Sequence, residues 1–524
     1  VPKTDLIVSS GFYDTRTPFG QSLPENLVTI RRQGAAIQDE YVVQPRSLQP
    51  IDSIGLPTGN LRGWCFHKGD LYAYIGTDLY RYDGSWVLIN ISYAEPPVAE
   101  IVNDPVKMVS NGLVICALGI GSGSGAEDDY YIDTDTAPAV GVRINTRTGG
   151  VYDTLTNGDG ATDVTFFDDY FVFISARAST IFHGTLPTVM DGTDINGTDF
   201  QKIYPQRDEL SALFQINGQL AAASTNHIDW FQNVGSDNFA FQLLKGQTFS
   251  LGVANRYAWT QIGDDVMFYG KSEDGFLGVY TVKQGKISND AIDSIINGVA
   301  NSEDTSYCMS YSLDGQLFGV ITVTGNQTDI NDPDGFSYSY NFTNQTWTKR
   351  STRSIADGDP DLATSYIWWP KDAFLLDDTL YFIGYFDRTF GSYNKNYLAF
   401  TDSNYRGDFG SAGYDPNIYE CTSQILENIG EGIIINEVGI YSQGMDGQVV
   451  ELSYSDDDMT TFTSLGEITV SGVGIPLRPL VEWRRLGYTN KARVYKFSFG
   501  ERALSEQTPY QILKPYIKWE PAGA

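Results

Sequence analysis

The chain has 524 residues and is strongly acidic, with 35 Lys and Arg against 65 Asp and Glu and a formal charge of −30. That balance excludes a sequence-reading nucleic-acid binder, which needs a basic footprint to neutralise phosphates. The longest clean apolar run, residues 113–120, is far too short to span a bilayer as a helix.

Taken from the start, residues 1–50 carry turn signals but no repeat, and they read as an N-terminal arm that straps onto a ring or a neighbour. A repeat then begins. Seven times an acidic or Asn/Gly turn is followed at once by a short apolar strand. The openers are Asp70-Leu71, Asn111-Gly112-Leu113, Asp168-Asp169-Tyr170-Phe171, Asn217-Gly218-Gln219-Leu220, Asp264-Asp265-Val266, Asp314-Gly315-Gln316-Leu317 and Asp377-Asp378-Thr379-Leu380. The first apolar residues recur at intervals between 42 residues (Leu71 to Leu113) and 63 residues (Leu317 to Leu380). Intervals of about 40 to 60 residues are those of β-propeller blades, each a twisted four-stranded sheet. Strand-forming aromatics dominate (33 Tyr, 28 Phe, 9 Trp), and 53 Gly help to interrupt nearly every apolar run.

One short segment has helical periodicity. Residues 289–299 (NDAIDSIINGV) offer Asn or Asp as a cap and place Ile292, Ile295 and Ile296 on one face. Polar insertions fall at 121–130, 190–200, 325–336 and 356–361, where propeller loops present docking surfaces. From about 416 the rhythm changes, and EGIIINEVGIYS, QVVELSYS, FTSLGEITV and ARVYKFSFG read as four further strands. The expected architecture is all-β: an arm over 1–50, a six- or seven-bladed propeller over 51–415, and a C-terminal β-domain over 416–524.

The terminal region also reverses the sign of charge. Arg478, Arg484, Arg485, Lys491, Arg493, Lys496 and Arg502 are opposed only by Glu482 and Glu501, a local excess of +5. Such a cluster is either the solvated face of edge strands or a docking patch for an acidic partner.

Catalytic and metal motifs are scarce. His67, His183 and His227 form no HExxH, and G-x-S-x-G is missing. The four cysteines (Cys65, Cys116, Cys308, Cys421) lie far apart without CxxC, so buried free thiols are expected. With an N-terminus unlike a secretory signal, they suggest a soluble protein made in a reducing compartment. The Asp-rich segment 191–199 fails the EF-type calcium pattern, because Gly192 falls where the first carboxylate should be and Ile203 where the Glu should be. No cofactor and no metal are expected. Residues 455–462 (SDDDMTTF) are similar to the Asp-box hairpin of sialidase propellers, with Met459 for Gly and Phe462 for Trp, a structural rather than catalytic element. Among 65 acids close carboxylate pairs are inevitable, so a glycoside hydrolase remains an alternative.

Several segments in order resemble the packaged-DNA stabilisation, or tail accessory and tail nozzle, proteins of short-tailed phages. They are LRGWCFHKGDLYAYIGTDLYRYDG, NGQLAAASTNHIDWFQNVG, the long stretch SLGVANRYAWTQIGDDVMFYGKSEDGFLGVYTVKQGKISNDAIDSIING, and the closing ELSYSDDDMTTFTSLGEITV with VEWRRLGYTNKARVYKFSFGERA. The resemblance implies a virion tail protein, present in the host cytoplasm during assembly and without enzymatic activity. It implies a hexameric ring below the portal and its adaptor ring, one that continues the DNA channel, retains the genome and carries fibres, spikes or a needle. The basic cluster would then face the adaptor, and net acidity would let DNA slide past without sticking. The competing expectations are a propeller glycoside hydrolase or depolymerase acting on cell-surface glycans, and a propeller that binds glycan or protein.

Overall fold

The computed structural model describes residues 3–5, 23–31, 40–43, 47–50, 61–93, 106–123, 126–144, 161–175, 179–184, 200–203, 209–236, 239–272, 274–299, 306–313, 315–323, 335–351, 368, 370–376, 379–386, 395–402, 419–423, 426, 432–443, 449–457, 459, 461–470, 480–490, 492–499 and 511–522. Seven sheets follow one another through residues 61–402, antiparallel throughout except that Ile91–Tyr93 adds to the second in parallel. Their innermost strands are Leu61–His67, Lys107–Ser110, Asp163–Phe167, Leu210–Ile216, Trp259–Ile262, Ser306–Leu313 and Pro370–Leu376. We number these sheets blades 1 to 7.

Apolar clusters join each blade to the next. Tyr74 and Leu79 of blade 1 pack with Ile115 and Ala117 of blade 2, and Cys116 and Leu118 of blade 2 pack with Phe171 and Phe173 of blade 3. Val172 and Ile174 of blade 3 meet Leu220 and Ala222 of blade 4. A large cluster joins blades 4, 5 and 6 around Phe214, Phe268 and Ile321. Tyr311 and Val320 of blade 6 pack with Trp368 and Phe382, and Leu71 of blade 1 closes the circle on Phe374 of blade 7. The second strands of blades 1 to 6 are therefore buried on both faces, which is why they read as apolar runs.

The repeated openers are the turns between first and second strands. Asp168 and Asp169 both have positive φ (46° and 70°), as do Asn217 and Gly218 (50° and 72°), the backbone that two-residue hairpins with native twist require. Leu113 departs from the pattern: it is half exposed in the blade 2 turn, and the strand proper starts at Ile115. Part of 121–130 is likewise not an inserted loop, because Ile115–Gly123 and Ala126–Asp133 pair there as a hairpin. The helix forms over Asp290–Gly298 with the Asn289 side chain accepting from Ile292 N, so the cap is as expected. Ile292 and Ile296 are buried but Ile295 is 38% exposed, because the sheet contacts a narrower stripe than three isoleucines.

The arm is shared between two bodies. Ser47–Pro50 pairs with Lys395–Asp402 as the outermost strand of blade 7, so one chain end staples the ring shut. Val28–Arg31, Glu40–Val43 and Lys3–Asp5 join Gln511–Pro521, Ile433–Gln443 and Leu480–Thr489 in a six-stranded sheet. That sheet lies over a four-stranded one made of Tyr419–Thr422, Val494–Phe499, Val449–Ser455 and Thr463–Thr469. Leu27, Val42, Ile435, Val438, Leu452, Trp483, Phe497 and Ile517 share the sandwich core. The terminal domain thus holds more strands than the four read from sequence, some of them supplied from the other end of the chain.

A short segment welds sandwich to propeller. Glu25 N donates to Glu420 O (2.8 Å), and Asn26 N donates to Lys349 O (2.8 Å) on the outer strand of blade 6. The buried Glu25 carboxylate pairs with Lys349 Nζ (3.1 Å) and accepts from Ser351 Oγ (2.6 Å). Asn26, with φ of 54°, accepts from Ser351 N (2.9 Å). Hydrogen bonding therefore runs without a break from blade 6 into the sandwich.

Candidate docking surfaces and the propeller axis

The blade topology sorts loops onto two faces. Turns joining first to second and third to fourth strands lie on one face, and the other connections lie opposite. The first face carries Asp168, Asp169 and Asp264, and is tied by ion pairs between Lys68 and Asp135 and between Lys283 and Asp264. The segment 356–361 and most of 190–200 and 325–336 lie outside the described residues; Phe200 starts the outer strand of blade 3.

Of the seven cations proposed from sequence, Arg478, Lys491 and Arg502 also lie outside them. Arg493 is buried and grips Asp456 with two bonds of 2.7 Å, its guanidinium 4.2 Å from the Tyr454 ring. Lys496 pairs with Glu420 (3.3 Å) and lies over Phe462. Both are committed to holding the four-stranded sheet together. Arg484 and Arg485 sit elsewhere, on Leu480–Thr489, the edge of the six-stranded sheet. Arg484 touches Glu482 (2.6 Å) and Glu437 (3.6 Å), yet its side chain is 70% exposed. Arg485 is exposed, with φ of 62°. This left-handed residue sits where the pairing to Ile433–Gln443 shifts register, and such a bulge discourages indiscriminate edge pairing. The exposed basic surface among the described residues is thus narrower than the cluster in sequence.

Three groupings of side chains bear on chemistry. Ser224, His227 and Asp229 form a Ser–His–Asp constellation, with Ser224 Oγ 2.6 Å from His227 Nδ1 and His227 Nε2 3.2 Å from Asp229 Oδ2. Ser224 is fully buried, however, and its Oγ accepts from the Asn226 and His227 backbones (3.2 and 3.0 Å). A hydroxyl so enclosed pins the turn of blade 4 and meets no substrate. On the outer face of the six-stranded sheet, the Tyr516 hydroxyl lies 2.7 Å from Glu437 and 2.8 Å from Glu482. Burial would raise the Glu437 carboxyl, but hydrogen bonds from Lys518 and Tyr516 and the nearby Arg484 charge hold it below the usual range. A glycoside hydrolase needs one carboxyl kept protonated, and Glu437 is held in the opposite state. The segment 455–462 folds as an Asp-box-like turn: Asp457 accepts from Thr461 N and its hydroxyl, Ser455 Oγ accepts from Met459 N, and Met459 takes the glycine's left-handed place (φ 59°). Among the described residues no acid, His and Cys cluster suits a metal ion.

Sequence reasoning missed the centre of the ring. Lys107 of blade 2 reaches Asp163 of blade 3 (3.3 Å), and its ammonium lies 5.4 Å from the Trp259 ring of blade 5. Asp163 is fully buried and accepts from Val164 N (2.9 Å) and Leu213 N (2.8 Å), tying blade 3 to blade 4. Asp372 of blade 7 accepts from its neighbour Ala373 N and from the Trp64 indole of blade 1, and feels the Lys107 charge. Blades 2, 3 and 5 thus meet at one ammonium that reaches across the ring, and its charge is felt by Asp372 of blade 7. Nothing in the local sequence announces this, because KMVS is an ordinary strand.

Residues 4–390 match a family model described as Phage_stabilise: bacteriophage P22 Gp10, beta-propeller. The chain belongs to this family of phage tail accessory proteins. No match is found among curated proteins. Three solved structures that this Gp10-family chain resembles are remote. A putative 6-phosphogluconolactonase from Bacteroides uniformis is 12% identical, with 62% of this chain and 94% of that one covered and a TM-score of 0.37. An arabinoxylan arabinofuranohydrolase from Bacillus subtilis is 9% identical, with 97% of each chain covered and a TM-score of 0.26. An exo-β-1,3-galactanase from Phanerochaete chrysosporium is 11% identical, with 98% and 100% covered and a TM-score of 0.25. Likenesses this distant carry no activity over to the Gp10-family chain. No helix among its described residues is long and apolar enough to cross a membrane.

Proposed function

We propose that this chain multiplies into a closed, hexameric ring below the portal and adaptor of a short-tailed phage, and that it catalyses no reaction. In this reading the ring continues the DNA channel, retains the packaged genome and anchors fibres, spikes or a needle. The chain assembles in the host cytoplasm and resides in the virion tail. One observation carries the reading: a Gp10-family propeller, stapled shut by its own N-terminal strand and welded to a terminal sandwich, is built as a stiff structural part. The charge of −30 suits a wall past which a polyanion must slide. Because Lys107 crosses the propeller axis, the conduit in this reading lies between subunits rather than through any one of them.

The sandwich edge bearing Arg484 and Arg485 is the proposed adaptor-facing surface, since these two cations protrude from an acidic molecule. The test is electron microscopy and co-sedimentation of the purified chain with portal–adaptor complexes. The expected outcome is a six-fold ring that Arg484→Glu with Arg485→Glu abolishes while circular dichroism still shows the native β fold. Normal assembly of that double variant refutes the surface. A monomer that hydrolyses host polysaccharide refutes the whole reading.

A further inference from the structure

The innermost strands described carry few charged groups: Arg62, His67, Lys107, Asp163, Lys371 and Asp372. Arg62 donates to the carbonyls of Gly76, Gly119 and Ile120. His67 bonds Ser110 Oγ (2.7 Å), and Lys371 lies over the Tyr307 ring. The remaining three converge on the axis. Arg256, which precedes the inner strand of blade 5, donates to Thr162 O (2.9 Å) beside Asp163. Leu210–Ile216, Trp259–Ile262 and Ser306–Leu313 bring no charge of their own. Asp163 is therefore served by Lys107, two backbone N–H groups and the neighbouring Arg256. Asp372 has one backbone N–H, one indole N–H and a share of Lys107.

We propose that Lys107, Asp163 and Asp372 form an axial lock on ring closure, and that Asp372 makes this lock tighter in mild acid than at neutral pH. The inference rests on the propeller itself and stands whether or not the chain assembles into a tail. Enclosure at the axis raises the Asp372 carboxyl from 3.8 to about 6, against the opposing pull of Ala373 N, Lys107 and Trp64. Asp372 is bonded to Trp64 exactly at the junction of blades 7 and 1, where the ring closes. A carboxyl whose folded value lies above its unfolded value binds its proton more tightly when folded. Its stabilising contribution is full below about 3.8 and is lost as pH rises through about 6. At neutral pH the axis therefore holds a second anion that one ammonium serves incompletely.

The experiment compares urea unfolding of the full chain, Asp372→Asn, and the exposed control Asp264→Asn at pH 7.5 and 5.0. At pH 7.5 the unfolding equilibrium constant of the wild type is expected to exceed that of Asp372→Asn by up to about a hundred-fold. That ratio is expected to shrink about ten-fold at pH 5.0, while the control shows no such change. Hydrogen exchange adds a local readout. Peptides from Leu61–His67 and Pro370–Leu376, corrected for intrinsic rates, are expected to be less protected in the wild type than in Asp372→Asn at pH 7.5, with most of that difference gone at pH 5.0; the His67 titration is common to both proteins and cancels. Lys107→Met is expected to widen the urea ratio at pH 7.5; should it not fold, the Asp372→Asn comparison decides alone. A ratio independent of pH, or seam protection that changes equally in both proteins, overturns the proposal.

Discussion

Replacing Glu25 with Ala removes a buried carboxylate from the seam between blade 6 and the terminal sandwich. The backbone bonds from Glu25 to Glu420 and from Asn26 to Lys349 survive the change. Lost are the pair with Lys349 Nζ at 3.1 Å and the bond from Ser351 Oγ at 2.6 Å. A charge-assisted bond contributes about 1.5–3 kcal/mol and a hydroxyl bond about 1 kcal/mol, and Lys349 recovers some hydration because it is partly exposed. The expected cost is about 3 kcal/mol, and it falls on the coupling between the two bodies rather than on either core. Calorimetry should show one cooperative transition in the wild type and two in Glu25→Ala, with Glu25→Gln between them. A single transition displaced by less than about 1 kcal/mol refutes the claim that this carboxylate couples the two bodies.

Met459→Gly relieves a left-handed residue in the Asp-box-like turn and should stabilise the chain by about 1 kcal/mol in urea titrations. Gly252→Ala places a Cβ 2.0 Å from the Thr225 carbonyl, between blades 4 and 5, and should destabilise by more than about 3 kcal/mol or prevent soluble expression. Cys65 and Cys308 are buried and their thiols are pushed up to about 12, so neither should react with a thiol reagent at pH 8 until urea unfolds the chain. Burial, followed by the Lys68 charge, lowers His67 below 6.5. The unfolded chain therefore takes up the proton first, and stability present above 6.5 is lost as pH falls. His67→Gln should blunt the loss between pH 7 and 5.5 in thermal scans.

Much of the propeller was legible because its signals are local. Two-residue turns such as Asn217-Gly218 need positive φ, and strands buried on both faces must be apolar throughout, so the turn and the run that follows it appear side by side in the chain. The helix cap at Asn289 was readable for the same reason, whereas the exposure of Ile295 depended on how wide a stripe the sheet covers. The basic cluster shows the limit. Arg493 lies 37 residues from Asp456, and no pattern within RVYKFS distinguishes a buried cation gripping a distant acid from one facing water.

From its residue order alone this protein is an all-β repeat with an acidic surface, since turn chemistry, alternation and net charge are properties of neighbouring residues or of the whole composition. Tertiary structure decided that the blades number seven, that residues 47–50 close the ring, that Glu25 welds it to the sandwich, and that Lys107 reaches across the ring to Asp163 and Trp259. Each of these pairs groups far apart in the chain, and such partners are selected by which surfaces exclude water together, a choice that exists only once the sheets have packed.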